Sequence, residues 1–346
     1  MERKPNRTAA ALLLVLLLLC GLFAGCQPAA EPAGPDAEGL YLCEKSFFAM
    51  DTYISYRVWG TSEEEAKDYG VLLEETFTRI AGMTDRFDPD SELSKVNAAG
   101  SEGLAVSAEL LEMAELAIDW KVRTNGAFQV LLGSLSDLWN IGGEDPKVPE
   151  KTAIAAELQK LSEARLTLRG SVLSVEPEGV ILDLGAVAKG YAADAAAKAL
   201  RQAGCKRALI DAGGTVITIG TKTGGQLWTI GLQDPKEPQK LAGIIESADK
   251  ALVTSGDYQR YFEQDGTRYH HIFDPETGYP ANRLHAVTVL AESAALGDIL
   301  STALFVMGPE EGYQLACQLS SEGLAEVLFT LPDYSQKITP GWPGKR

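Results

Sequence analysis

Apolar residues recur every three or four positions in several stretches of the chain, which is the spacing of one helix face. The clearest stretch, 62–83, begins at Ser62, a residue type that caps helices, and continues with an acidic first turn. Asn125 and Gly126 end a second stretch of this kind. The pattern predicts helices over 62–83, 107–125, 151–163, 188–203, 294–307 and 309–320.

Short runs of β-branched and aromatic residues lie between these helices and predict strands. One strand is predicted over 46–59, and a buried strand over 180–184. Because strands and helices do not alternate strictly, we expect an α/β chain with mixed α+β sheets and surrounding helices, not a doubly wound parallel sheet. Further strands are predicted near 165–168, 171–176, 207–211, 215–220, 226–232, 251–253, 285–291 and 325–331.

The first 25 residues have the pattern of a secretory signal peptide. Three basic residues precede an apolar run over 9–19, which is too short to read comfortably as a membrane span. Small residues then precede Cys26 in a sequence that resembles a bacterial lipobox, so Cys26 is predicted to carry lipid on the extracytoplasmic face of the bacterial cell membrane. Cys20 is the competing acceptor, and an uncleaved membrane anchor is the alternative interpretation.

Residues 26–43 are rich in Pro, Ala, Gly and acidic residues and predict a flexible tether. No linker divides the rest, so 44–346 is predicted to be a single catalytic domain. The net charge of −17 and the lack of a basic run in the body exclude a nucleic-acid-binding role. Three further cysteines, Cys43, Cys205 and Cys317, are widely spaced and form no metal-binding pattern.

Asp183 stands at the end of the predicted buried strand, Gly185 follows, and a helix then begins with Lys189 in its first turn. The unpaired amides of a helix N-terminus favour anions, and a lysine beside them adds a charge suited to phosphate. This segment predicts a phosphate site, although a strand–glycine–helix turn is also a common plain connection.

Two of the three histidines, His270 and His271, precede the turn sequence Asp274-Pro-Glu-Thr-Gly. A histidine in such a loop can act as a general base or donate a hydrogen bond to phosphate. A purely structural role is the alternative. A nearby segment, 253–261, ends a strand in small hydroxyl residues and contains Asp257, so it either lines a polar pocket or forms a turn.

Asp298 and Thr302 are four residues apart on a predicted apolar helix and therefore face the same way. A carboxylate and a hydroxyl among core residues need a partner, and Mg²⁺ prefers such oxygen ligands. The alternative is local hydrogen bonding, with Asp298 capping an amide and Thr302 bonding to its own helix.

Taken in order, these segments resemble the ApbE family of FAD:protein FMN transferases, from about Phe47 to Gly308. Each segment alone is a weak sign of the family, and the resemblance depends on their occurring together in a fixed order. The pieces are Met50-Asp-Thr52, Arg86-Phe-Asp-Pro-Asp-Ser-Glu-Leu-Ser-Lys-Val-Asn97, Gly126-Ala-Phe128, 183–191, Trp228-Thr-Ile-Gly-Leu-Gln-Asp-Pro235, Thr254-Ser-Gly-Asp-Tyr258, 270–278 and 298–303.

The resemblance implies a compact ApbE-type fold that uses Mg²⁺ and takes FAD as its substrate. It implies that Ala186, through its carbonyl, Asp298 and Thr302 hold the metal. It also implies acceptor proteins such as subunits of Rnf-type and Nqr-type membrane redox complexes, or other secreted flavoproteins. The residues that it places at FAD are Met50, Phe87, Ala127, Phe128, Gln129, Asp183, Lys189, His271 and Ile272.

His271 is the predicted general base, with Asp257 or Asp274 as the residue that orients it. Two positions depart from the family pattern, since Gln129 stands where an Asp is common and Thr215 where an acid is common. Two other functions stay open on the sequence: an FAD pyrophosphatase that releases FMN and AMP, and a flavin-binding lipoprotein without turnover.

Overall fold

The computed structural model describes residues 34–344, and an eight-stranded sheet, the main sheet, forms their centre. All neighbouring strands of this sheet are antiparallel, which confirms that the chain is not a doubly wound parallel fold. No helix between residues 34 and 344 is long and apolar enough to cross a membrane. The predicted signal peptide and Cys26 lie outside the described residues.

The strands of the described range follow the chain from the N-terminal hairpin to a short C-terminal edge strand. In the main sheet their order is β1-β2-β6-β7-β10-β13-β14-β15, and three smaller sheets are built from β3-β5-β4, β8-β9 and β11-β12. The strands are β1 (Tyr41–Ala49), β2 (Thr52–Gly60), β3 (Leu104–Ala105), β4 (Arg165–Arg169), β5 (Val172–Glu176), β6 (Ala208–Ala212), β7 (Thr215–Ile219), β8 (Trp228–Gln233), β9 (Leu241–Ser247), β10 (Ala251–Gly256), β11 (Tyr261–Gln264), β12 (Thr267–His270), β13 (Ala286–Ala291), β14 (Ala325–Thr330) and β15 (Gln336–Ile338).

All the predicted helices are present, and the structure adds two short ones, α2 and α4. Several helices begin at a side-chain cap that the sequence predicts. Ser62 accepts a hydrogen bond from the Glu65 amide, and Ser107 accepts one from the Leu110 amide. The helices are α1 (Glu63–Thr84), α2 (Glu92–Ala99), α3 (Ala108–Arg123), α4 (Gly133–Trp139), α5 (Lys151–Glu163), α6 (Gly185–Gln202) and α7 (Ala294–Ser321).

The main sheet has an inner face that helices cover and an outer face that is covered only in part. On the inner face α1 packs against β1 and β2, α6 against β6 and β7, and α7 against β10, β13 and β14. On the outer face the β8–β9 hairpin packs over the second half of the sheet. The apolar residues of that contact are Ile230, Leu232, Ile245, Leu252, Leu290 and Leu328.

Two of the predicted strands are wrong in the structure. The single strand over 46–59 is a hairpin, because Met50 and Asp51 turn the chain with φ values of 52° and 56°. Val180, Leu182 and Leu184 are buried, but residues 180–184 form no strand. Their backbone is satisfied locally instead, since the Asp183 amide donates to the Val130 carbonyl at 2.8 Å and the Asn97 side chain bonds both polar groups of Leu182.

The two helices predicted over 294–307 and 309–320 form one element, α7, with a break inside it. Gly308 leaves the helical conformation with a φ of 79°, and Pro309 follows. The break therefore falls where the prediction divided the helices, because proline cannot continue the preceding hydrogen-bond ladder.

The predicted tether over 26–43 is too long, because Tyr41 already begins β1. Residues ahead of β1 are also held: buried Arg207 donates to Asp36 at 2.6 Å and to Glu38. Arg207 directly precedes β6, at the end of the sheet where Tyr41 pairs with Gly60. We call this the entry end.

The opposite end of the main sheet, the site end, is marked by consecutive turns. The β1–β2 turn lies there, and so does the β6–β7 turn at Gly213–Gly214, since Asp211 pairs with Val216. The pairing of Gly256 with Ala286 places the end of β10 at the same edge. The functional side chains collect at this end.

Candidate active site

Lys189, Thr215 and Asp298 meet at the site end, on the inner face of the main sheet. The Lys189 ammonium donates to Asp298 Oδ1 at 3.1 Å and to the Thr215 hydroxyl, which itself donates to the same carboxylate oxygen at 3.0 Å. Asp298 is buried, whereas Lys189 keeps partial exposure. One polar cluster, which opens toward solvent at the lysine, thus joins α6, β7 and α7. Because α6 begins at Gly185, Lys189 is in its second turn, whereas the sequence predicted that it is in the first.

The residues expected at the metal lie within one helical turn of this cluster. Asp298 Oδ2 accepts a hydrogen bond of 2.6 Å from the Gly190 amide. In an α-helix the Gly190 amide also points at the carbonyl of the residue four positions earlier, which is Ala186. The Asp298 carboxylate and the Ala186 carbonyl therefore lie beside the same turn of α6. Thr302 follows Asp298 by one turn of α7, and its hydroxyl is 3.5 Å from Ser255 Oγ.

This set of donors fits a hard cation such as Mg²⁺. It consists of a carboxylate, a hydroxyl and a carbonyl, all oxygen atoms, with exposed space beside Lys189. Among residues 34–344 no group of three or more His, Cys, Asp or Glu side chains could hold a metal. A site with a single carboxylate matches the habit of Mg²⁺ to keep several waters and to bind substrate phosphates.

Asp183 is held by Arg86 beside the start of α6. Arg86 Nε donates to Asp183 at 2.9 Å and Arg86 Nη2 to Asp137 at 2.6 Å, and its side chain is only 9% exposed. Asp183 also accepts a hydrogen bond from the Gly185 amide at 2.8 Å. Burial lowers the pKa of Arg86, but the two carboxylates outweigh it and raise that pKa overall.

The residues expected at FAD differ in what they can offer. Phe87 is 72% exposed and lies against Arg86, whose guanidinium is 4.0 Å from the ring centre. Phe128, in contrast, is fully buried in the core, so only its backbone can reach a ligand. The Gln129 side chain accepts a hydrogen bond from the Leu131 amide at 3.1 Å. Met50 lies at the β1–β2 turn, Ala127 is partly buried, and Ile272 is buried.

The paired histidines have different environments. The buried His270 ring donates through Nε2 to the Ala281 carbonyl at 2.6 Å and accepts at Nδ1 from the Ile272 amide at 3.2 Å, so both nitrogens are used. Burial lowers the pKa of His270, which keeps it neutral. This histidine is therefore structural.

His271 is half-buried and has a nitrogen to spare. Its Nδ1 lies 3.3 Å from the Arg260 carbonyl, which can only accept, so Nδ1 carries the proton and Nε2 keeps its lone pair. Dense surrounding protein, and next the positive charge of Arg260, lower the pKa of His271 to about 4. The unused Nε2 of the neutral ring is free to accept a proton, which a general base requires, but the lowered pKa makes it a weaker base than an ordinary histidine.

The structure gives His271 no hydrogen bond to either of its expected orienting residues. Asp257 bonds to His285 Nδ1 at 2.7 Å and lies 3.4 Å from Arg268, while Asp274 accepts from the Glu276 amide within its own turn. In the described chain the Arg260 carbonyl occupies the place predicted for a carboxylate. Arg260 itself donates to the backbone carbonyl of Asp51 at 3.2 Å.

Sequence reasoning missed the roles of Arg86, Asp137 and Ser255 in this site. Arg86 opens the longest of the family-like segments, but nothing in its spacing shows that it pairs with Asp183 and Asp137. Ser255 lies 2.8 Å from Ser301 Oγ, on the strand that faces α7. Thr215, which departs from the family pattern, serves here as the bridge between Lys189 and Asp298.

The fold and the site together define an enzyme of mixed α and β structure. At the site end it brings together a lysine on α6, oxygen atoms suited to a cation, and the neutral His271. The sequence profile of the ApbE family matches residues 50–328. The chain belongs to the ApbE family.

Relatives with established names support the assignment along most of the chain. The FAD:protein FMN transferase of Treponema pallidum is 35% identical over 308 residues, which cover 82% of this chain and 84% of the relative. The enzyme of the same name from Vibrio cholerae is 35% identical over 311 residues, covering 88% and 90%.

Solved structures agree with the fold. The ApbE protein of Thermotoga maritima superposes with a TM-score of 0.78 at 32% identity, covering 86% of this chain and 97% of that one. The flavin transferase ApbE of Vibrio cholerae has a TM-score of 0.77 at 29% identity, covering 87% and 98%. The predicted ApbE-type fold is therefore confirmed.

Proposed function

We propose that this chain is a Mg²⁺-dependent FAD:protein FMN transferase, which moves FMN from FAD to a Thr or Ser hydroxyl of an acceptor protein and releases AMP. The observation that carries the proposal is the cluster of Lys189, Thr215 and Asp298 between α6 and α7, with Thr302 one turn from Asp298, within a chain that belongs to the ApbE family. A cation-holding site beside a helix N-terminus is suited to a pyrophosphate.

His271 removes the proton from the acceptor hydroxyl as the new bond forms. The hydroxyl oxygen bonds to the phosphorus of the FMN half, the pyrophosphate oxygen bond to that phosphorus breaks, and AMP leaves with the bridging oxygen. Nε2 of His271 receives the hydroxyl proton, because Nδ1 is held by the Arg260 carbonyl. The base is therefore neutral before the step and cationic after it.

Lys189 and the metal-holding residues act on the charge of the pyrophosphate. The Ala186 carbonyl, the Asp298 carboxylate and the Thr302 hydroxyl would hold Mg²⁺, which neutralises phosphate charge and polarises the phosphorus. The Lys189 ammonium, which is held by the Thr215 hydroxyl, adds a positive charge beside the same pyrophosphate. Positioning and electrostatics supply most of the acceleration in phosphoryl-type transfers.

The acceptors would be reached outside the cytoplasm. Cys26 would carry the lipid that holds the enzyme at the extracytoplasmic face of the cell membrane. Subunits of Rnf-type or Nqr-type redox complexes are the acceptor class that the family resemblance suggests.

Mass spectrometry of an acceptor tests the activity. Residues 27–346 are incubated with FAD, Mg²⁺ and a purified Rnf-type or Nqr-type acceptor domain, and the acceptor should gain one FMN phosphoryl group. Asp298→Ala should abolish the gain, because it removes the carboxylate of the metal site. Asp119→Ala, which removes an exposed carboxylate on α3, serves as the control and should transfer normally.

Two other results would contradict the proposal in different ways. Release of free FMN and AMP with no adduct on the acceptor would indicate an FAD pyrophosphatase. FAD that stays intact with every acceptor would indicate a flavin-binding protein without turnover.

A further inference from the structure

The outer face of the main sheet is continuous from the β1–β2 hairpin to the strands beneath β8 and β9. Directly paired residues of antiparallel strands point to the same face. Phe48 pairs with Tyr53, Ser55 with Asp211, and Asp211 with Val216, so these side chains all lie on the outer face. They also lie near the site end, within a few residues of the turns that mark it.

An exposed aromatic pair begins this face. Phe48 is 63% and Tyr53 73% exposed, and their rings contact edge to face with centroids 5.4 Å apart. Farther along the same strands Arg57 and Glu44 neutralise each other at 2.7 Å. Asp211 is the remaining carboxylate on this part of the face. An exposed aromatic pair with so few uncompensated charges, on a chain of net charge −17, has the charge depletion and the Tyr and Phe enrichment of an interface core.

A cavity of about 210 Å³ ends the face on the other side. Aliphatic side chains from the main sheet and from β8 form its floor, among them Val216, Leu252 and Leu232, and Thr254 and Gln259 stand at its polar rim. Its volume is below the roughly 300–1,000 Å³ of sites for drug-sized ligands. Since an apolar cavity of about 150 Å³ holds a benzene ring, this one can take a large side chain of a bound segment, with its apolar part on the floor and its polar part at the rim.

The cavity adjoins the active site through the sheet itself. Its wall residues Gly214 and Thr254 are the chain neighbours of Thr215 and Ser255, whose side chains point to the inner face and join the Lys189–Asp298–Thr302 site. Consecutive Cα atoms are only about 3.8 Å apart. A segment on the outer face therefore has to pass the site-end turn at Gly213–Gly214, beside the side chains of Thr52 and Gln259, to reach the site.

We infer that the outer face from the Phe48–Tyr53 pair to this cavity is the docking surface for the acceptor protein. An extended, weakly charged segment lies across the site end, an apolar side chain fills the cavity, and the neighbouring hydroxyl crosses Gly213–Gly214 toward His271. The inference rests on the proposed function, because only a protein substrate needs such a surface.

Binding and kinetics with one acceptor test the surface separately from the chemistry. The probe is the same Rnf-type or Nqr-type acceptor domain, with binding measured by interferometry without FAD or Mg²⁺. The double variant Phe48→Ala/Tyr53→Ala and the cavity-blocking Gln233→Trp should each weaken binding and raise the acceptor KM about tenfold or more. FAD affinity and kcat at saturating acceptor should stay unchanged. Val122→Ala, 75% exposed on α3, is the control.

The results separate the two proposals. Acceptor binding that the Phe48/Tyr53 double variant leaves intact would overturn the docking surface. Weakened FAD affinity in Gln233→Trp, with acceptor binding unchanged, would assign the cavity to FAD. It would overturn the proposal that the cavity binds a side chain of the acceptor. Binding that depends on the aromatic pair, with no transfer by the unchanged chain, would support the surface and reject the transferase.

Discussion

His271 differs from the other two histidines of the chain in having a nitrogen without a structural task. His270 uses both ring nitrogens inside the core, and His285 bonds to Asp257 and stacks on Tyr334 with ring centroids 4.2 Å apart. The sequence made His270 and His271 equal candidates for the general base. Only the directions of their hydrogen bonds separate a structural histidine from a candidate base.

Replacing His271 should remove the base without removing the FAD site. His271→Asn should bind FAD normally and lose transfer by roughly 10²-fold or more. His285→Asn is the matched control, since it removes a histidine that lies on Asp257 and Tyr334. Wild-type turnover in His271→Asn would reject the assignment.

The pH dependence carries a further check on the same residue. Because burial lowers the pKa of His271 to about 4, the ring stays neutral as pH falls through 6.5 and becomes protonated only near 4. The transfer rate should therefore be level between pH 5 and 8. A loss of rate with a midpoint near 6.5 would contradict this.

The site residues could be found from sequence only where they lie in ordered motifs. Asp298 and Thr302 are visible as a carboxylate and a hydroxyl one turn apart on an apolar helix. Arg86 was not identified as a site residue, because its pairing with Asp137 and Asp183 joins distant parts of the chain, and residue spacing carries no sign of such contacts.

Elements with long periodic patterns were predicted well, and short ones depended on contacts that the pattern does not contain. The β1–β2 turn was missed because Met50 is not a typical turn residue, although Asp51 is, and both adopt positive φ. The apolar run 180–184 reads as a strand, but the Asn97 side chain replaces a neighbouring strand as its partner.

Helix α7, which carries Asp298 and Thr302, is anchored at its N-terminus by a carboxylate from α6. Asp194 accepts hydrogen bonds from Ser293 Oγ at 2.7 Å and from the amides of Ala294 and Ala295 at 2.8 and 2.9 Å. These amides have no partner within the helix. This contact fixes α6 and α7, the helices that carry Lys189 and Asp298, relative to each other.

Removing this cap should destabilise the fold. Asp194→Ala should lower the free energy of unfolding by about 1–2 kcal/mol, the usual cost of losing a helix cap. Asp194→Asn keeps an oxygen that accepts from the amides and should lose less. Urea unfolding measures both, and equal stability of Asp194→Ala and the unchanged chain would contradict the role.

At the scale of the whole molecule, Arg207 ties the segment ahead of β1 to the entry end. Asp36, Glu38 and Thr223 surround its guanidinium, and the Thr221 carbonyl accepts from its Nε at 3.1 Å. The described segment ahead of β1 is therefore attached to the folded body at a fixed point, the buried guanidinium of Arg207.

The attachment should depend on pH. Burial raises the pKa of Asp36, but hydrogen bonds, first from the Leu40 amide, outweigh it and hold that pKa below its ordinary value. The Gly224 amide and then Arg207 lower the pKa of Glu38. Both carboxylates therefore add stability above about pH 4, the range of their unfolded pKa values, and lose it as pH falls further.

Arg207→Ala should accordingly lower the melting temperature at pH 7 and speed proteolysis around residues 34–40. The difference in melting temperature from the unchanged chain should shrink below pH 4. Arg201→Ala, which removes an exposed pair with Asp249, is the control and should change neither. A difference that stays constant at all pH values would contradict the ionic origin.

The distance between the entry end and the site end limits how far the active site can lie from the membrane surface. Strand β1 has nine residues and so separates the two ends by roughly 30 Å. If Cys26 carries lipid, the ten residues from it to Asp36 add at most about 35 Å. The catalytic end could then reach no higher than roughly 65 Å above the lipid surface, which defines a layer of at most that thickness. A flavin acceptor in the same membrane would have to present its hydroxyl inside that layer, so the lengths of the two proteins' stalks would have to match.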